Sequence, residues 1–247
     1  NPDFAKLTEA YSCAKGFTLK RGADIKKILT RAMEYNDGPC VINAEVEKAD
    51  NVYPMIPAGG FLITPAWDVR EPPAGQRLLR VDPGRAFGTG THETTRLCLA
   101  ALESSAAAGP LGRVLDVGTG TGILAVAARL LGAAQVAAVD NDPEAVASAR
   151  LHARLNGVGF GVVLGDGGRP FRAGSFDLVL ANIQAPILLA KRDELLSLCA
   201  ARGRLVLSGL LQDDLTAIRA AYADAGTLSV RRDGEWVAVR VEPSGTA

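Results

Sequence analysis

Three stretches have the residue types and spacing to do chemistry. The first is Asp116-Val117-Gly118-Thr119-Gly120-Thr121-Gly122, where an apolar run turns into glycines at alternate positions. Glycine turns tightly and lets a ligand approach the main chain without a Cβ in the way. The helical pattern behind it, Ile123 to Leu131, offers free N–H groups and the positive end of a dipole. A dinucleotide loop needs G-x-G-x-x-G, and counting from Gly118 its last glycine would be Ile123, so that pattern fails. A P-loop needs Gly-Lys-Ser/Thr, and the stretch has no lysine. The next apolar run, Gln135 to Val139, ends in an acid, Asp140. The second stretch is Asn182-Ile183-Gln184-Ala185-Pro186, at the end of the apolar run Leu178 to Ala181. The Asn182 amide oxygen can accept a hydrogen bond from an amine; an asparagine here also reads as a strand-end turn. The third runs from Asp82 to Thr95, a glycine- and threonine-rich loop entering a helix over Thr94 to Leu102, with Thr91 or Thr94 as cap. Taken alone it is a weak anion-loop signal.

The elements that must position these residues alternate. Strand, glycine turn and helix over 113–131 are followed by a strand to Asp140 and a helix over Glu144 to Asn156. Asp142 before Pro143 reads as an N-cap rather than a ligand. Gly157 ends that helix. Val162 to Leu164 is a third strand with Asp166 at its tip. The continuous apolar run before Asn182 reads as a buried parallel strand. Helix Ile187 to Cys199, strand Arg204 to Ser208 and helix Asp213 to Ala225 follow. Leu228 to Arg232 and Trp236 to Val241 form a hairpin, for which Asp233-Gly234 suits a type I′ turn. The expected fold class is α/β: a parallel doubly wound sheet with an antiparallel hairpin at one edge. A ligand should sit over the carboxyl ends of its strands, at the switch point.

Bulk properties bound the alternatives. The chain has 247 residues, a formal net charge of zero and 48% hydrophobic residues. That suits one large domain, or a domain with an added piece, and gives no sign of a nucleic-acid surface. Cys13, Cys40, Cys98 and Cys199 have no metal spacing, and His92 and His152 complete no familiar zinc pattern, so no metal is expected. No signal peptide or membrane span is expected, and a reducing, cytoplasmic setting fits the scattered thiols. Lysines are concentrated before Lys48; after it only Lys191 remains and arginine takes over.

Asp-x-Gly-x-Gly-x-Gly with Asp140 at the next strand end resembles the S-adenosylmethionine loop of Rossmann-like methyltransferases. The loop backbone would face the amino-acid end of that cofactor, and the Asp140 carboxylate would accept both ribose hydroxyls. The string Asp82-Pro83-Gly84-Arg85-Ala86-Phe87-Gly88-Thr89-Gly90-Thr91-His92-Glu93-Thr94-Thr95, with Gly118, Asp140 and Asn182, resembles the ribosomal protein L11 methyltransferase family from about Phe61 to the C-terminus. That resemblance implies methylation of protein amino groups, lysine or N-terminal, on a large-subunit ribosomal protein. It implies Asn182 and Phe87 at the reacting groups, with Phe87 and Gly88-Thr89-Gly90 bordering the cofactor and the target amine. Thr95, Gly118, Gly120, Asp140 and Asn182 would contact the cofactor, Gly118 under its methionine moiety. Asp166 reads equally as an adenine contact or a plain turn, and His92 equally as a structural or a pocket residue. Asn182 in Asn-x-x-x-Pro resembles the Asn-Pro-Pro-Tyr site of amino-methylating enzymes. Gln184 departs from the Leu-Ala or Leu-Gly that the family carries after Asn-Ile.

Residues 1–60 resemble the C-terminal tail of the acetolactate synthase catalytic subunit. The similarity rests on Asn1-Pro2-Asp3-Phe4, Lys15-Gly16-Phe17, Asp37-Gly38-Pro39 and Asn51-Val52-Tyr53-Pro54-Met55-Ile56-Pro57-Ala58-Gly59-Gly60. It implies an αβ appendage over 1–60 (helix Phe4 to Tyr11, strand Gly16 to Leu19, helix Ala23 to Tyr35, strand Pro39 to Val46) without the synthase's own cofactor motif. Connector strands over 61–81 and a methyltransferase domain over 82–247 complete the expected organisation. The L11 enzymes carry a recognition domain at this end, so cofactor affinity with weak recognition of the ribosomal protein is expected. The rival readings are a methyltransferase acting on another protein, a small molecule or nucleic acid, and a non-catalytic fusion that binds acetolactate synthase. The partner expected is a protein substrate, with no membrane and no direct nucleic-acid contact.

Overall fold

The computed structural model describes residues 8, 14–19, 24–44, 57–58, 60–68, 71–82 and 92–243. The helix expected over Phe4 to Tyr11, apart from Thr8, and the loop carrying Phe87 fall outside them. The chain divides into two compact units, Asn1–Val52 and Tyr53–Ala247.

In the first unit, strands β1 (Lys15–Leu19) and β2 (Cys40–Ala44) pair in parallel, with helix α1 (Ile25–Met33) between them in sequence. Parallel pairing demands such a crossover. Asp24 caps α1, accepting a hydrogen bond from the Lys27 N–H at 3.1 Å. Phe17 and Ala32 are the buried hydrophobic residues among those described in this unit.

The second unit begins ahead of the junction expected at Gly60. Strand β3 (Pro57–Ala58) pairs antiparallel with β4 (Phe61–Pro65), which pairs in parallel with β5 (Arg77–Val81). These strands are more than a connector. Phe61, Ile63, Leu79 and Val81 are buried in one cluster with Leu99 and Leu102 of helix α2 (Glu93–Ala108) and with Ile123 to Ala128 of helix α3 (Ile123–Leu130).

The main sheet has seven strands. In chain order they are β6 (Arg113–Val117), β7 (Gln135–Asp140), β8 (Gly161–Leu164), β9 (Phe176–Asn182), β10 (Cys199–Leu211), β11 (Thr227–Asp233) and β12 (Trp236–Glu242). Across the sheet the order is β11-β12-β10-β9-β6-β7-β8. Strands β6 to β10 are mutually parallel, and β12 runs antiparallel between β10 and β11. Successive side chains on a strand point to opposite faces. Leu178 and Leu180 of β9 accordingly join the cluster under α2 and α3. Val179 and Ala181 join a second cluster under helices α5 (Ala185–Ala190), α6 (Arg192–Leu198) and α7 (Leu215–Tyr222). Both faces are covered, which is why β9 is continuously apolar from Leu178 to Ala181 rather than alternating. Helix α4 (Pro143–Leu155) links β7 to β8. The chain leaves β6 for β7 and β8 on one side, then returns to β9 on the other, so the switch point lies between the carboxyl ends of β6 and β9. Among the described residues no helix is long and apolar enough to cross a membrane.

Some elements depart from the sequence reading. The helix expected over Ile187 to Cys199 breaks at Lys191 into α5 and α6. No proline or glycine marks the break. The Tyr222 hydroxyl donates to the Leu188 carbonyl at 2.8 Å and the Arg192 guanidinium binds the Ala221 carbonyl at 2.5 Å, so packing against α7 competes with a continuous helical ladder. Strand β10 extends well beyond Arg204 to Ser208, and Gln212–Asp214 form a 3₁₀ turn before α7. The hairpin turn is centred on Gly234-Glu235, because Asp233 pairs with Trp236. Only Gly234 has positive φ there, +60°, which is the signature of a type II′ turn rather than the expected I′.

The small sheet is held to α4 by side chains. Asn156, the C-cap of α4, accepts from the Arg80 N–H at 2.7 Å and donates to the Arg80 carbonyl at 2.8 Å, as a neighbouring strand would. Buried His152 accepts from the Asp82 N–H at Nε2 (2.8 Å) while its Nδ1 lies 2.8 Å from the Ser148 carbonyl, so the ring bridges the two backbones. Asn156→Ala leaves both backbone groups of Arg80 without these partners and is expected to lower the unfolding free energy by about 2 kcal/mol. Urea denaturation measures this; a loss below roughly 0.5 kcal/mol, typical of an ordinary surface substitution, would refute the clamp.

Candidate active site

The glycine turn follows β6 directly. Gly118, Gly120 and Gly122 have φ of +68°, +53° and +79°, in the left-handed region. At Gly118 the requirement is double: a Cβ would also stand 2.4 Å from Ile183 Cγ2, so a larger residue would push the turn off the end of β9. The turn is fastened from below by Asp116, 1% exposed. Its Oδ2 accepts from the Thr119 hydroxyl at 2.6 Å, and the Ala125 N–H at the start of α3 also donates to the carboxylate. Burial pushes the Asp116 carboxyl up to about 6 despite those bonds.

Asp140 stands at the end of β7 and fastens the turn from the side. Its Oδ2 accepts from the Gly120 N–H at 2.8 Å and its Oδ1 from the Asp142 N–H at 3.0 Å. Each carboxylate oxygen keeps a second lone pair, so two acceptor positions remain for a ligand's hydroxyls. Asp142 caps α4, accepting from the Glu144 N–H at 2.8 Å, as its place before Pro143 implied.

Across the switch point, Asn182 ends β9 opposite Ser208 of β10. The next residue is tied down through the Ile183 N–H, which donates to the Ser208 carbonyl at 3.1 Å. The Ser208 hydroxyl in turn donates to the Thr94 carbonyl at 3.2 Å, joining this wall to the start of α2.

A cavity of about 510 Å³ opens between these strand ends. That is within the roughly 300–1,000 Å³ of small-molecule sites. Gly118, Gly120, Asp140 and Asn182 all line it. Thr95 does not: it is 1% exposed, and its neighbour Thr94 lines the cavity instead. Adjacent helical residues point about 100° apart, so only one of the pair faces the opening. Asp166 is likewise absent from the lining; it pairs with Lys191 Nζ at 2.8 Å, which holds its carboxyl below the usual range. Phe87 lies outside the described residues. His92 is the N-cap of α2 and also lines the cavity, so both of its readings meet in one place. Exposed Gln184, the N-cap position of α5, forms part of the wall. Ile187 and Trp236 complete the apolar side. The sequence carried no local signal for Trp236, which arrives from the last strand; its ring meets His92 edge-on with centroids 4.6 Å apart.

The parallel sheet, the glycine turn and the acid at the neighbouring strand end together define the Rossmann-like fold of the S-adenosylmethionine-dependent methyltransferases. A model of the family described as ribosomal protein L11 methyltransferase (PrmA) matches residues 44–243. The chain belongs to that family. It is 45% identical over 180 residues to the ribosomal protein L11 methyltransferase of Geobacter sulfurreducens, covering 71% of this chain and 58% of that protein. It is 38% identical over 249 residues to the one from Pelobacter propionicus, covering 95% and 81%. The solved ribosomal protein L11 methylase of Lactobacillus delbrueckii subsp. bulgaricus superposes with a TM-score of 0.69 at 35% identity, covering 75% of this chain and 95% of that one. The expected similarity of residues 1–60 to an acetolactate synthase tail is not shown by these matches, and the Pelobacter alignment extends into that segment.

The buried carboxylate makes a pH test. Its pKa is raised in the folded state, so its contribution to stability is fully present below the ordinary carboxylate value near 4 and is lost as pH rises through about 6. Asp116→Asn is therefore expected to gain stability relative to the parent between those limits, by roughly 2–3 kcal/mol. Urea midpoints of both proteins from pH 4 to 7 give the difference; one that does not change with pH would contradict the assignment.

Proposed function

We propose that this chain transfers a methyl group from S-adenosylmethionine to an amino group of a protein, and that the acceptor is a lysine or the N-terminus of ribosomal protein L11. One observation carries the reading: Gly118, Asp140 and Asn182, from the ends of three strands, line a single cavity. The cavity fits the cofactor in size and in donor set. The cofactor supplies an electrophilic methyl group on a sulfonium sulfur. The main chain at Gly118 and Gly120 would hold its amino-acid end, and the free lone pairs of Asp140 would accept the ribose hydroxyls. The Asn182 amide oxygen would accept an N–H of the incoming amine and so turn the nitrogen lone pair toward the methyl. Such a displacement needs alignment more than acid or base strength. Ile183, Ile187 and Trp236 supply an apolar wall, which favours the neutral, nucleophilic form of the amine. A ribosomal acceptor would place the reaction in the cytoplasm.

The test is transfer of labelled methyl from S-adenosylmethionine to purified L11 and to a whole-cell extract. Asn182→Ala is expected to lower kcat about 100-fold, the cost of a lost alignment. Affinity for S-adenosylhomocysteine, measured by calorimetry, should stay within about threefold, because Asn182 acts on the acceptor. Asp140→Ala should weaken that affinity by at least tenfold, on the order of one or two charge-assisted hydrogen bonds. Undiminished transfer by Asn182→Ala, or no binding of S-adenosylhomocysteine by the parent, would overturn the reading.

A further inference from the structure

Trp236 forms part of the apolar wall of the cavity, yet it stands on a hairpin at the margin of the sheet. Among the described residues strand β11 is the edge strand, with no further strand on its outer side. The ring is placed only as well as the hairpin tip is placed. From one side the 3₁₀ turn holds the tip: the Gln212 N–H donates to the Glu235 carbonyl at 3.0 Å, and the Gln212 side chain donates to the Gly234 carbonyl at 3.0 Å. From the other side the tie comes from α2. Arg96 Nε donates to Asp233 Oδ2 at 2.8 Å, with the side chains 24% and 35% exposed.

The positions of those two residues matter. Arg96 lies four residues, one helical turn, beyond His92 and so on the same face of α2. Asp233 is the residue directly opposite Trp236 across the hairpin. The ion pair Arg96–Asp233 and the ring contact His92–Trp236 therefore bridge the same two elements, one turn apart. Arg96 is itself held from the helix side, with its guanidinium 3.4 Å from Glu93. The next tie between α2 and β11, Arg231 to the Ser104 hydroxyl at 2.8 Å, lies two turns further from the cavity.

From this arrangement we infer that Arg96 and Asp233 are a positioning pair: they lock the hairpin tip to α2 and thereby set where Trp236 closes the acceptor side of the cavity. The inference rests on the proposed reaction for its kinetic consequence but not for its structural one. Among the described residues the ion pairs of Arg96, with Asp233 and Glu93, include neither Asp140 nor the glycine turn, so the effect of the pair is expected on the acceptor rather than on the cofactor. A guanidinium–carboxylate pair also has a directional geometry that an ammonium does not reproduce.

The chain has two tryptophans, Trp67 and Trp236, so a Trp67→Phe protein reports on Trp236 alone. In that background Arg96→Met and Asp233→Asn should each raise acrylamide quenching of Trp236 about twofold, and the double variant no further, as expected for two halves of one interaction. In methyl transfer, each should raise the acceptor KM about tenfold with kcat within about threefold, the pattern of a lost binding contribution. Affinity for S-adenosylhomocysteine should be unchanged, and Arg96→Lys should recover only part of the KM. Unchanged quenching in both single variants would overturn the inference. So would a matching loss of S-adenosylhomocysteine affinity, which would mean general loosening of the fold. If the quenching shift appears while the parent transfers no methyl, the pair stands as a lock on Trp236 and the proposed reaction falls.

Discussion

A carboxylate removed from water is costly unless its oxygens are satisfied by fixed donors. Asp116 meets that condition with the Thr119 hydroxyl from the glycine turn and the Ala125 N–H from the first turn of α3. The two donors lie on the two segments that follow the strand, so one buried group makes strand end, turn and helix start a single rigid piece. The rest of the site is built against that piece. Asp140 can hold the Gly120 N–H, and Ile183 can close over Gly118, only while the turn keeps this shape. Burial raises the Asp116 carboxyl, which is the energetic strain of keeping it there. The compensation is a turn whose backbone is held in one shape.

The opposite wall depends on packing rather than on a charge. Strand β9 is buried on both faces and carries Asn182 to the same level as Gly118. Strand β10 continues past that level, binding Ile183 through Ser208 and reaching α2 through the Ser208 hydroxyl. The helix that carries His92 and Thr94, the strand that ends in Asn182 and the hairpin that carries Trp236 are thus linked through β10 and its neighbours. A site assembled from strand ends inherits the stiffness of the sheet, while the hairpin at the edge inherits less of it.

Membership of the L11 methyltransferase family accounts for the second unit as a whole, since the matched residues 44–243 include every element of the site. The chain nevertheless spans only 58% of the Geobacter relative's length, and its first unit is a separate βαβ piece with few buried hydrophobic residues among those described. The strands β3 to β5 belong physically with the second unit. The apolar residues of β4 and β5 share its core, Asn156 holds the β5 backbone, and His152 holds Asp82 just beyond it.

Much of this was legible from local patterns. Alternate glycines after an apolar run mark a turn, an acid closing the next apolar run marks the end of the next strand, and Asp142-Pro143 and Gly157 bracket a helix by local backbone geometry. These features depend on residues close in sequence, so the sequence by itself determined the α/β class, the glycine turn, Asp140 and the position of Asn182. It could not decide what depends on distant partners. Tyr222 and Arg192 break a helix at Lys191, and the seating of α2 on the sheet puts Thr94 rather than Thr95 on the cavity. Lys191 pairs with Asp166, which lies outside the cavity lining, and the pairing of Asp233 with Trp236 moves the hairpin turn by one residue. Trp236 itself reaches His92 only because β12 inserts beside β10. Contacts between separate elements leave no local periodicity to read, because the energy that fixes them is gained only when the sheet has closed.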